Sequence, residues 1–321
     1  MKTTVVGAYP KISDEHQDLR RALHKLDRGE LDEAGIAGVL DDSAAWAIGE
    51  LESAGVDVIN DGQLRWDDLL APFARAWQNT ERGPLERFYD NNTYYRQPVI
   101  KGPIETDGQT LVSDYKKAKA IAKRELKAAI CGPLTFATLT AQDTHYKDLE
   151  ARTFAVADAL AAELRGLRAA GTTLVDVEEP ALAAHPELVD LARAAFDRLA
   201  QAGLALAVYP YFFAVDRIIE KLAAFPAAQV GLDLRSRDTH ALDHLRAFTQ
   251  TVVLGIVDAR NTRLETPREL GQMIEGALGQ LSVDRAWFAP TTGLEYLPHD
   301  VAAKKLRALV DAARATKGVP A

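Results

Sequence analysis

One short pattern recurs along the chain and constrains its fold more than any other feature. In VDVEEPAL, residues 175–182, a β-branched run is followed by two carboxylates, Glu178 and Glu179, and then by a proline. A long amphipathic segment, residues 149–170, precedes this run and ends at Gly171. The unit therefore predicts a helix, a glycine stop and a buried strand with polar residues at its C-terminal end.

The same kind of strand is predicted eight times. The eight runs are 3–6, 56–59, 128–131, 175–177, 204–208, 230–234, 252–257 and 286–289. Eight such strands alternating with helices over about 250 residues are typical of a (β/α)8 TIM barrel. We therefore predict one α/β domain over residues 1–321. A doubly wound open sheet is the competing fold, but it usually carries a Gly-rich nucleotide loop, and neither GxGxxG nor GxxxxGK[ST] occurs.

The segment from about residue 80 to residue 110 does not fit the repeating pattern. It is rich in turn residues and aromatic residues. We predict an insertion after the second strand, with a hairpin around residues 99–104, that covers one face of the domain.

Composition limits the classes of function. The formal net charge is −8 and no basic cluster occurs, so nucleic-acid binding is disfavoured. No apolar run approaches 18 residues, and the N-terminus lacks a secretory pattern, so we expect a cytoplasmic protein without a membrane partner. Cys131 is the only cysteine, which excludes an internal disulfide and a cysteine-rich metal site.

Polar residues at the predicted strand ends are the candidate site, because the C-terminal ends of barrel strands meet at one mouth. We expect catalytic roles for Glu178, Asp233 and Asp61. The candidate substrate-binding residues are Gln63, Glu179, Tyr209, Tyr211, Arg235, Asp258, Arg260, Asn261, Thr291 and Thr292.

Two structural alternatives stay open for these residues. Successive side chains of a strand point in opposite directions, so one of Glu178 and Glu179 should face the mouth while the other pairs with a loop or helix end. Both carboxylates could instead only hold loops. Arg235 and Arg260 could bind a substrate carboxylate, or they could only pair with Asp233 and with Asp258.

The residues themselves predict no metal and no cofactor. None of the seven histidines falls at a predicted strand end. His240 and His244 have the i, i+4 spacing of a helical metal pair, but no HExxH context surrounds them.

Several of these strand ends resemble those of cobalamin-independent methionine synthases. The resemblance rests on TTVVGAYP (3–10), GVDVINDGQLRWDD (55–68), DVEEPAL (176–182) and FAPTTGL (288–294). That family has two (β/α)8 barrels, and this chain resembles one of them over nearly its whole length. Residues 88–98, 208–213 and 255–261 look more like the family's N-terminal barrel than its catalytic C-terminal barrel.

The resemblance also implies where a zinc site and a substrate would lie. The family holds zinc with a His-x-Cys after the fifth strand, a Glu after the sixth and a Cys after the eighth. The matching positions here are Tyr211, Phe213, Asp233 and Thr292, so the usual zinc ligands are not retained. The positions that meet the amino-acid substrate in the family carry Ala8, Gln63 and Glu178.

The resemblance implies a methyltransferase that acts on a small substrate. Methyl transfer would run from a folate-type or other donor to a homocysteine-like thiol. The chain would act as a zinc-free relative or as a subunit beside a second, zinc-bearing barrel chain.

Two other functions stay open. A metal-free lyase or decarboxylase resembling uroporphyrinogen decarboxylase would use Arg235 and Arg260 for substrate carboxylates, and Asp61 or Asp233 for a developing positive charge. A non-catalytic barrel that binds a small molecule is the other alternative.

Overall fold

The computed structural model describes residues 1–13, 17–89, 91–236 and 239–317. In it, all eight predicted runs contain a strand. The strands of the described chain are β1 (Lys2–Thr3), β2 (Val58–Ile59), β3 (Gln78–Arg87), β4 (Tyr94–Glu105), β5 (Glu125–Leu126), β6 (Ala128–Cys131), β7 (Gln142–Asp143), β8 (Leu174–Glu178), β9 (Ala205–Tyr209), β10 (Gln229–Asp233), β11 (Thr251–Val257) and β12 (Ala286–Pro290).

Eight of these strands form a closed parallel barrel. Seven lie in one sheet, in the order β1-β12-β11-β10-β9-β8-β6. The parallel bridge between Thr4 and Val58 joins β2 to one edge. At the other edge, β2 pairs with β5, and the Lys127 amide donates to the Ile59 carbonyl over 2.9 Å. The predicted (β/α)8 barrel is confirmed, and the open-sheet alternative is wrong because β2 closes the ring.

Helices cover the outside of the barrel. They are α1 (Asp18–Asp27), α2 (Glu33–Ala54), α3 (Ala71–Ala76), α4 (Val112–Ile121), α5 (Pro133–Thr138), α6 (Leu149–Ala169), α7 (Pro180–Ala184), α8 (Val189–Ala200), α9 (Ile219–Leu222), α10 (Pro267–Leu278) and α11 (His299–Lys317). Short 3-10 turns occupy Pro186–Leu188, Asp216–Ile218, Ala241–Ala247 and Leu294–Tyr296. No described helix has the length and apolar character that a membrane span needs.

The ends of α6 show how the sequence determines a helix. The Asp148 side chain accepts from the Ala151 amide over 2.8 Å, which satisfies one of the free N–H groups of the first turn. Beyond the last turn, Gly171 has φ +89°, a left-handed conformation that a side chain would disfavour. The chain then enters β8 with its polar end at the mouth.

The segment after β2 forms an antiparallel hairpin, β3 with β4. Its turn lies between Arg87 and Tyr94, whereas the hairpin was expected around residues 99–104. That expectation was wrong, because residues 99–104 continue β4 and pair with β3 through residues 78–81 despite Gly102 and Pro103. The turn residues at 90–92 were the better signal, although Asp90 lies outside the described residues.

One buried carboxylate ties the base of this hairpin to the barrel. Glu163 of α6 has no exposed surface, and it accepts from the Trp77 indole over 3.0 Å and from the Thr106 hydroxyl over 2.7 Å. The amide and hydroxyl of Thr110 also donate to it, over 2.9 and 2.6 Å. The four bonds hold both ends of the hairpin segment against α6.

Candidate active site

A cavity of about 220 Å³ opens at the C-terminal mouth of the barrel. Its lining comes from the loops after β1, β2, β8, β9 and β12 and from the hairpin turn. The lining residues are Ala8, Gln63, Trp66, Asp67, Asp68, Leu69, Phe88, Thr93, Tyr94, Tyr95, Glu178, Tyr211, Glu295 and Tyr296. Since this is the end of the barrel where the active sites of this fold lie, we take the cavity as the candidate active site.

Glu178 is the central polar residue of the cavity. It ends β8, is 2% exposed, and accepts a hydrogen bond on each carboxylate oxygen. The side-chain amide of Gln63 donates to Oε1 over 2.5 Å, and the Tyr211 hydroxyl donates to Oε2 over 2.7 Å. Burial raises the pKa of Glu178 to about 7, although both hydrogen bonds lower it by stabilising the charged form. Glu178 can therefore accept and release a proton near neutral pH.

The backbone is strained beside both donors of Glu178. Gln63 has φ +51°, and Phe212, which follows Tyr211, has φ +78°. Side chains disfavour this left-handed region, and such residues concentrate at functional sites. Asp61 supports the strained turn at Gln63, because its Oδ1 accepts from the backbone amide of Gln63 over 2.9 Å. Asp61 does not line the cavity, so it positions Gln63 and has no direct contact with this space.

The two adjacent carboxylates diverge, as the alternation of side chains requires. Glu179 points away from the cavity to the start of α5. It accepts from the Leu134 amide over 3.1 Å and from the Thr135 amide over 2.6 Å, and the Thr135 hydroxyl also donates to it. Burial raises the pKa of Glu179 to about 7 against these bonds. Glu179, predicted to bind substrate, therefore holds a helix end.

We name the group Gln63, Glu178 and Tyr211 the cavity side of the mouth. Beside it, on the loops after β10, β11 and β12, lies a second group, which we name the braced side: Asp233, Asp258, Arg260, Asn261 and Thr291. None of the braced side is among the cavity-lining residues.

Bonds within the protein occupy most polar atoms of the braced side, but Asp233 Oδ2 has no hydrogen-bond partner among the described residues. Asp233 Oδ1 accepts from the amides of Arg235 and Ser236, over 2.8 and 2.9 Å. Its Oδ2 lies 3.8 Å from the Arg260 guanidinium, which also donates to the Phe212 carbonyl over 3.2 Å. Burial raises the pKa of Asp233 to about 6, whereas the Arg235 amide and Arg260 lower it.

The loop after β11 is fixed in the same manner. Asp258 accepts from the Arg260 amide over 2.8 Å and from the Asn261 side chain. The Thr291 hydroxyl accepts from the Ala259 amide over 3.1 Å. The Arg260 guanidinium lies beside Asp233 and its backbone amide donates to Asp258. Arg260 thus has the structural role that was left open for it.

The remaining predicted residues lie away from the cavity. Arg235 extends toward Met273, with 3.7 Å between its guanidinium and the sulfur. Thr292 is buried at 1% exposure and does not line the cavity. Tyr209 lies below the mouth, inside the barrel, 5.3 Å from the Lys127 ammonium to its ring centre. Lys127 is itself paired with Asp176 over 2.6 Å.

The structure thus brings together three of the residues predicted from the strand ends, which are the cavity side. Ala8, one of the positions implied by the family resemblance, joins them. Sequence reasoning missed most of the aromatic lining. Trp66 lies in the segment GVDVINDGQLRWDD (55–68), and Phe88 and Tyr95 lie in the aromatic segment 87–95. The contact of Phe88 and Tyr95 with the mouth depends on how the hairpin folds. Tyr296 lies six residues beyond the last strand, farther along the chain than the predicted strand-end residues Thr291 and Thr292.

The positions matching the family's zinc ligands do not fit a zinc ion. Tyr211 donates its hydroxyl to Glu178, Phe213 is apolar, and Thr292 offers no charged donor. Asp233 is the one carboxylate among the four, and backbone amides occupy one of its oxygens. Within the described ranges, no three His, Cys, Asp or Glu side chains are grouped to hold a metal ion. A catalytic zinc usually takes three protein ligands of these types.

Comparison with known proteins agrees with the fold. The family model for the catalytic domain of cobalamin-independent synthases matches residues 1–315. The methionine synthase of Sulfurisphaera tokodaii is 28% identical, over 97% of this chain and 90% of that protein. The methionine synthase of Thermococcus kodakarensis is 26% identical, over 95% and 90%.

A solved structure extends the agreement to three dimensions. The B12-independent methionine synthase from Shewanella sp. W3-18-1, in complex with selenomethionine, has a TM-score of 0.85 at 19% identity. The match covers 98% of this chain and 97% of that one. Because the family model matches nearly the whole chain, this protein belongs to the cobalamin-independent methionine synthase family, whose members are methyltransferases.

Proposed function

We propose that this protein transfers a methyl group to a small thiol of the homocysteine type, with Glu178 as the general base and without a zinc ion held at the family's ligand positions. The observation that carries the proposal is the place of Glu178: buried at the centre of the mouth cavity, with its pKa raised to about 7. A general base is most effective when its pKa lies near the working pH.

The proposed step needs a thiolate at neutral pH. A free thiol has a pKa of about 8.5, so most of it is protonated. The Glu178 carboxylate takes the S–H proton, and the sulfur electron pair forms a bond to the methyl carbon. The bond from that carbon to the donor breaks, and its electron pair leaves with the donor. Gln63 and Tyr211 hold the carboxylate in place, since each donates to one of its oxygens.

The absence of a fitting ligand set supports the zinc-free part of the proposal. Tyr211 takes up one of the family's ligand positions, and its hydroxyl serves Glu178 instead. A second, zinc-bearing barrel chain would be the other way to supply a thiolate, and the experiment below separates the two.

The decarboxylase alternative finds no comparable support. It required arginines facing the substrate, but Arg235 extends to Met273 and Arg260 to the Phe212 carbonyl. Neither arginine lines the cavity.

The test is methyl transfer by the purified chain after dialysis against a chelator. Homocysteine is the acceptor, 5-methyltetrahydrofolate and methylated onium compounds are the donors, and bound zinc is measured on the same sample. We expect methionine to form with far less than one zinc per chain, and we expect Glu178→Gln to slow its formation by roughly 10²- to 10⁴-fold. Activity that returns only with added zinc, or only with a second barrel protein, would overturn the proposal.

A further inference from the structure

The cavity has an unusual charge balance. Four of its lining residues are acidic: Asp67, Asp68, Glu178 and Glu295. Among the described residues that line it, none is lysine, arginine or histidine. Asp67 and Asp68 are paired outside the cavity, since Arg82 lies 2.8 Å from Asp67 and 3.9 Å from Asp68. Glu178 has hydrogen bonds from uncharged donors only, so the centre of the cavity carries an acid without a cation.

The rest of the lining is largely aromatic. Six of the fourteen lining residues have aromatic rings: Trp66, Phe88, Tyr94, Tyr95, Tyr211 and Tyr296. Phe88 and Tyr95 pack edge to face, with ring centres 5.6 Å apart and planes at 72°, so they present surfaces of different orientation. Several rings around one small space are the usual means of binding a cation that is weakly hydrated.

Phe212 holds these rings in place from behind. Its ring centre lies 4.6 Å from that of Tyr211, 5.8 Å from Tyr296 and 5.9 Å from Phe88. Phe212 itself does not line the cavity, and it keeps its left-handed backbone in this position. Strained residues of this kind concentrate at functional sites, and this one contacts three of the lining rings.

We propose that the cavity binds a methylated onium cation, a quaternary ammonium or a tertiary sulfonium, as the methyl donor. The proposal names the donor class for the function above, and it rests on that function for the transfer step. The positive charge meets Glu178, and the methyl groups contact the aromatic rings. A donor of this kind is small, which agrees with a cavity below the roughly 300–1,000 Å³ typical of sites for drug-sized ligands.

Other ligand classes fit these residues less well. An anionic donor would meet Glu178 and Glu295 with no basic residue in the lining, since Lys11 lies outside it with its ammonium on the Trp66 and Asp67 carbonyls. A primary ammonium is strongly hydrated and needs hydrogen-bond acceptors on all sides, whereas much of this lining offers ring carbon. A methylated onium loses little hydration on entering such a space, so the carboxylate and the rings act together on it.

The transfer step balances with such a donor. The acceptor thiol gives its proton to Glu178, and sulfur forms the new S–CH3 bond. The C–N⁺ or C–S⁺ bond breaks, and its electron pair neutralises the leaving tertiary amine or sulfide. The leaving group needs no proton, so Glu178 can return its proton to solvent.

The experiment is calorimetric titration of the full chain with probes that differ in one atom. Choline carries N⁺ where 3,3-dimethylbutan-1-ol carries carbon, and the two have nearly the same shape. (2-Hydroxyethyl)dimethylsulfonium tests the sulfonium class, and ethanolamine tests a primary ammonium. We expect an onium to bind at least roughly tenfold more tightly than both the carbon analogue and ethanolamine, and the better of the two onium probes identifies the class. Equal binding of choline and its carbon analogue, with no tighter sulfonium, would overturn the proposal.

Two variants test the role of the aromatic lining. Tyr94 is 60% exposed at the rim, so Tyr94→Leu should keep the fold and weaken onium binding by roughly 2- to 30-fold. The matched control is Phe154→Leu on the outer helix α6, where the ring contacts Arg198 and lies outside the cavity, and it should bind normally. Equal loss in both variants, or in neither, would contradict the proposal.

The outcomes separate this inference from the function it rests on. Onium binding without methylation of homocysteine would leave the onium-binding site standing and count against the proposed function. Methylation from 5-methyltetrahydrofolate without onium binding would support the proposed function and overturn the onium inference.

Discussion

The two sides of the barrel mouth carry similar polar residues but differ in how those residues are satisfied. On the braced side, Asp233 accepts from two backbone amides and lies beside Arg260. On the cavity side, Glu178 is also buried, but its hydrogen-bond donors are the uncharged side chains of Gln63 and Tyr211, and it lines the cavity. The two carboxylates therefore differ mainly in their place: Glu178 lines the cavity with both oxygens hydrogen-bonded, whereas Asp233 lies beside Arg260 outside the cavity, and its Oδ2 has no hydrogen-bond partner among the described residues.

The difference teaches how to recognise the functional half of such a mouth. At Asp233 the backbone amides and Arg260 lower the pKa, but burial outweighs them and raises it to about 6, and the side chain holds its loop. At Glu178 burial raises the pKa to about 7 and the side chain lines the cavity, so this carboxyl group can exchange a proton with a bound ligand. Variants on the two sides should accordingly affect different measurements.

The largest effect is expected from Glu178→Gln on the cavity side. The amide keeps the shape but cannot accept the thiol proton, so kcat should fall by roughly 10²- to 10⁴-fold, the usual contribution of a general base. The comparison variant is Asp233→Asn on the braced side, which should reduce stability and leave kcat of the folded protein within about threefold. If both variants lose activity equally, the two sides do not differ as described.

The next effect concerns stability and separates the two adjacent glutamates. Glu179→Ala leaves the amides of Leu134 and Thr135 without their acceptor at the start of α5. The free energy of unfolding should decrease by about 2–4 kcal/mol, since unpaired buried donors are costly. Denaturant unfolding measures this. The control is Glu187→Ala, an exposed glutamate near His185, which should cost less than about 0.5 kcal/mol.

A smaller effect is expected when one donor to Glu178 is removed. Tyr211→Phe deletes a hydrogen bond that lowers the pKa of Glu178, so that pKa should rise above its value of about 7. The base works only when deprotonated, so the rate should rise with pH through this pKa, and the midpoint should move to higher pH in the variant. At neutral pH the activity should fall by about tenfold. The pH–rate profile checks this, and an unchanged midpoint would contradict the role of Tyr211.

The smallest effect is expected on the braced side, from Arg260→Gln. The Arg260 guanidinium bonds the Phe212 carbonyl and lies 5.6 Å from the Phe212 ring centre, so its loss should cost about 1 kcal/mol of stability. KM for the acceptor should change by less than about threefold, because Arg260 does not line the cavity. Arg263→Gln, at a more exposed pair with Glu269, is the control. A large rise in KM would return Arg260 to the substrate-binding role first predicted for it.

The barrel could be predicted from sequence because its signal is local. Each strand is a short apolar run, and the polar residue at its end is visible in the same few letters, as at Glu178. The direction of Glu178 relative to Glu179 also follows from alternation, although which of the two faces the mouth does not.

The aromatic lining could not be predicted in the same way. Phe88 and Tyr95 contact the mouth only because the hairpin folds back over it, which depends on long-range pairing between β3 and β4. The end of α4 depends on long-range pairing in the same way. Residues 125–126 pair with β2, so α4 ends at Ile121 and the chain becomes extended at Ala122.

The hairpin fastened by Glu163 has a consequence for how new specificities could arise in this architecture. Its turn region supplies Phe88, Thr93, Tyr94 and Tyr95 to the cavity, while the barrel strands supply the proton-accepting carboxylate. The hairpin thus supplies half of the aromatic rings of the lining, while Trp66, Tyr211 and Tyr296 come from loops of the barrel that carries the carboxylate. Exchange or lengthening of this single excursion would present a different chemical surface to an unchanged reaction centre, so homologues could diverge in substrate while they preserve the barrel and its acid.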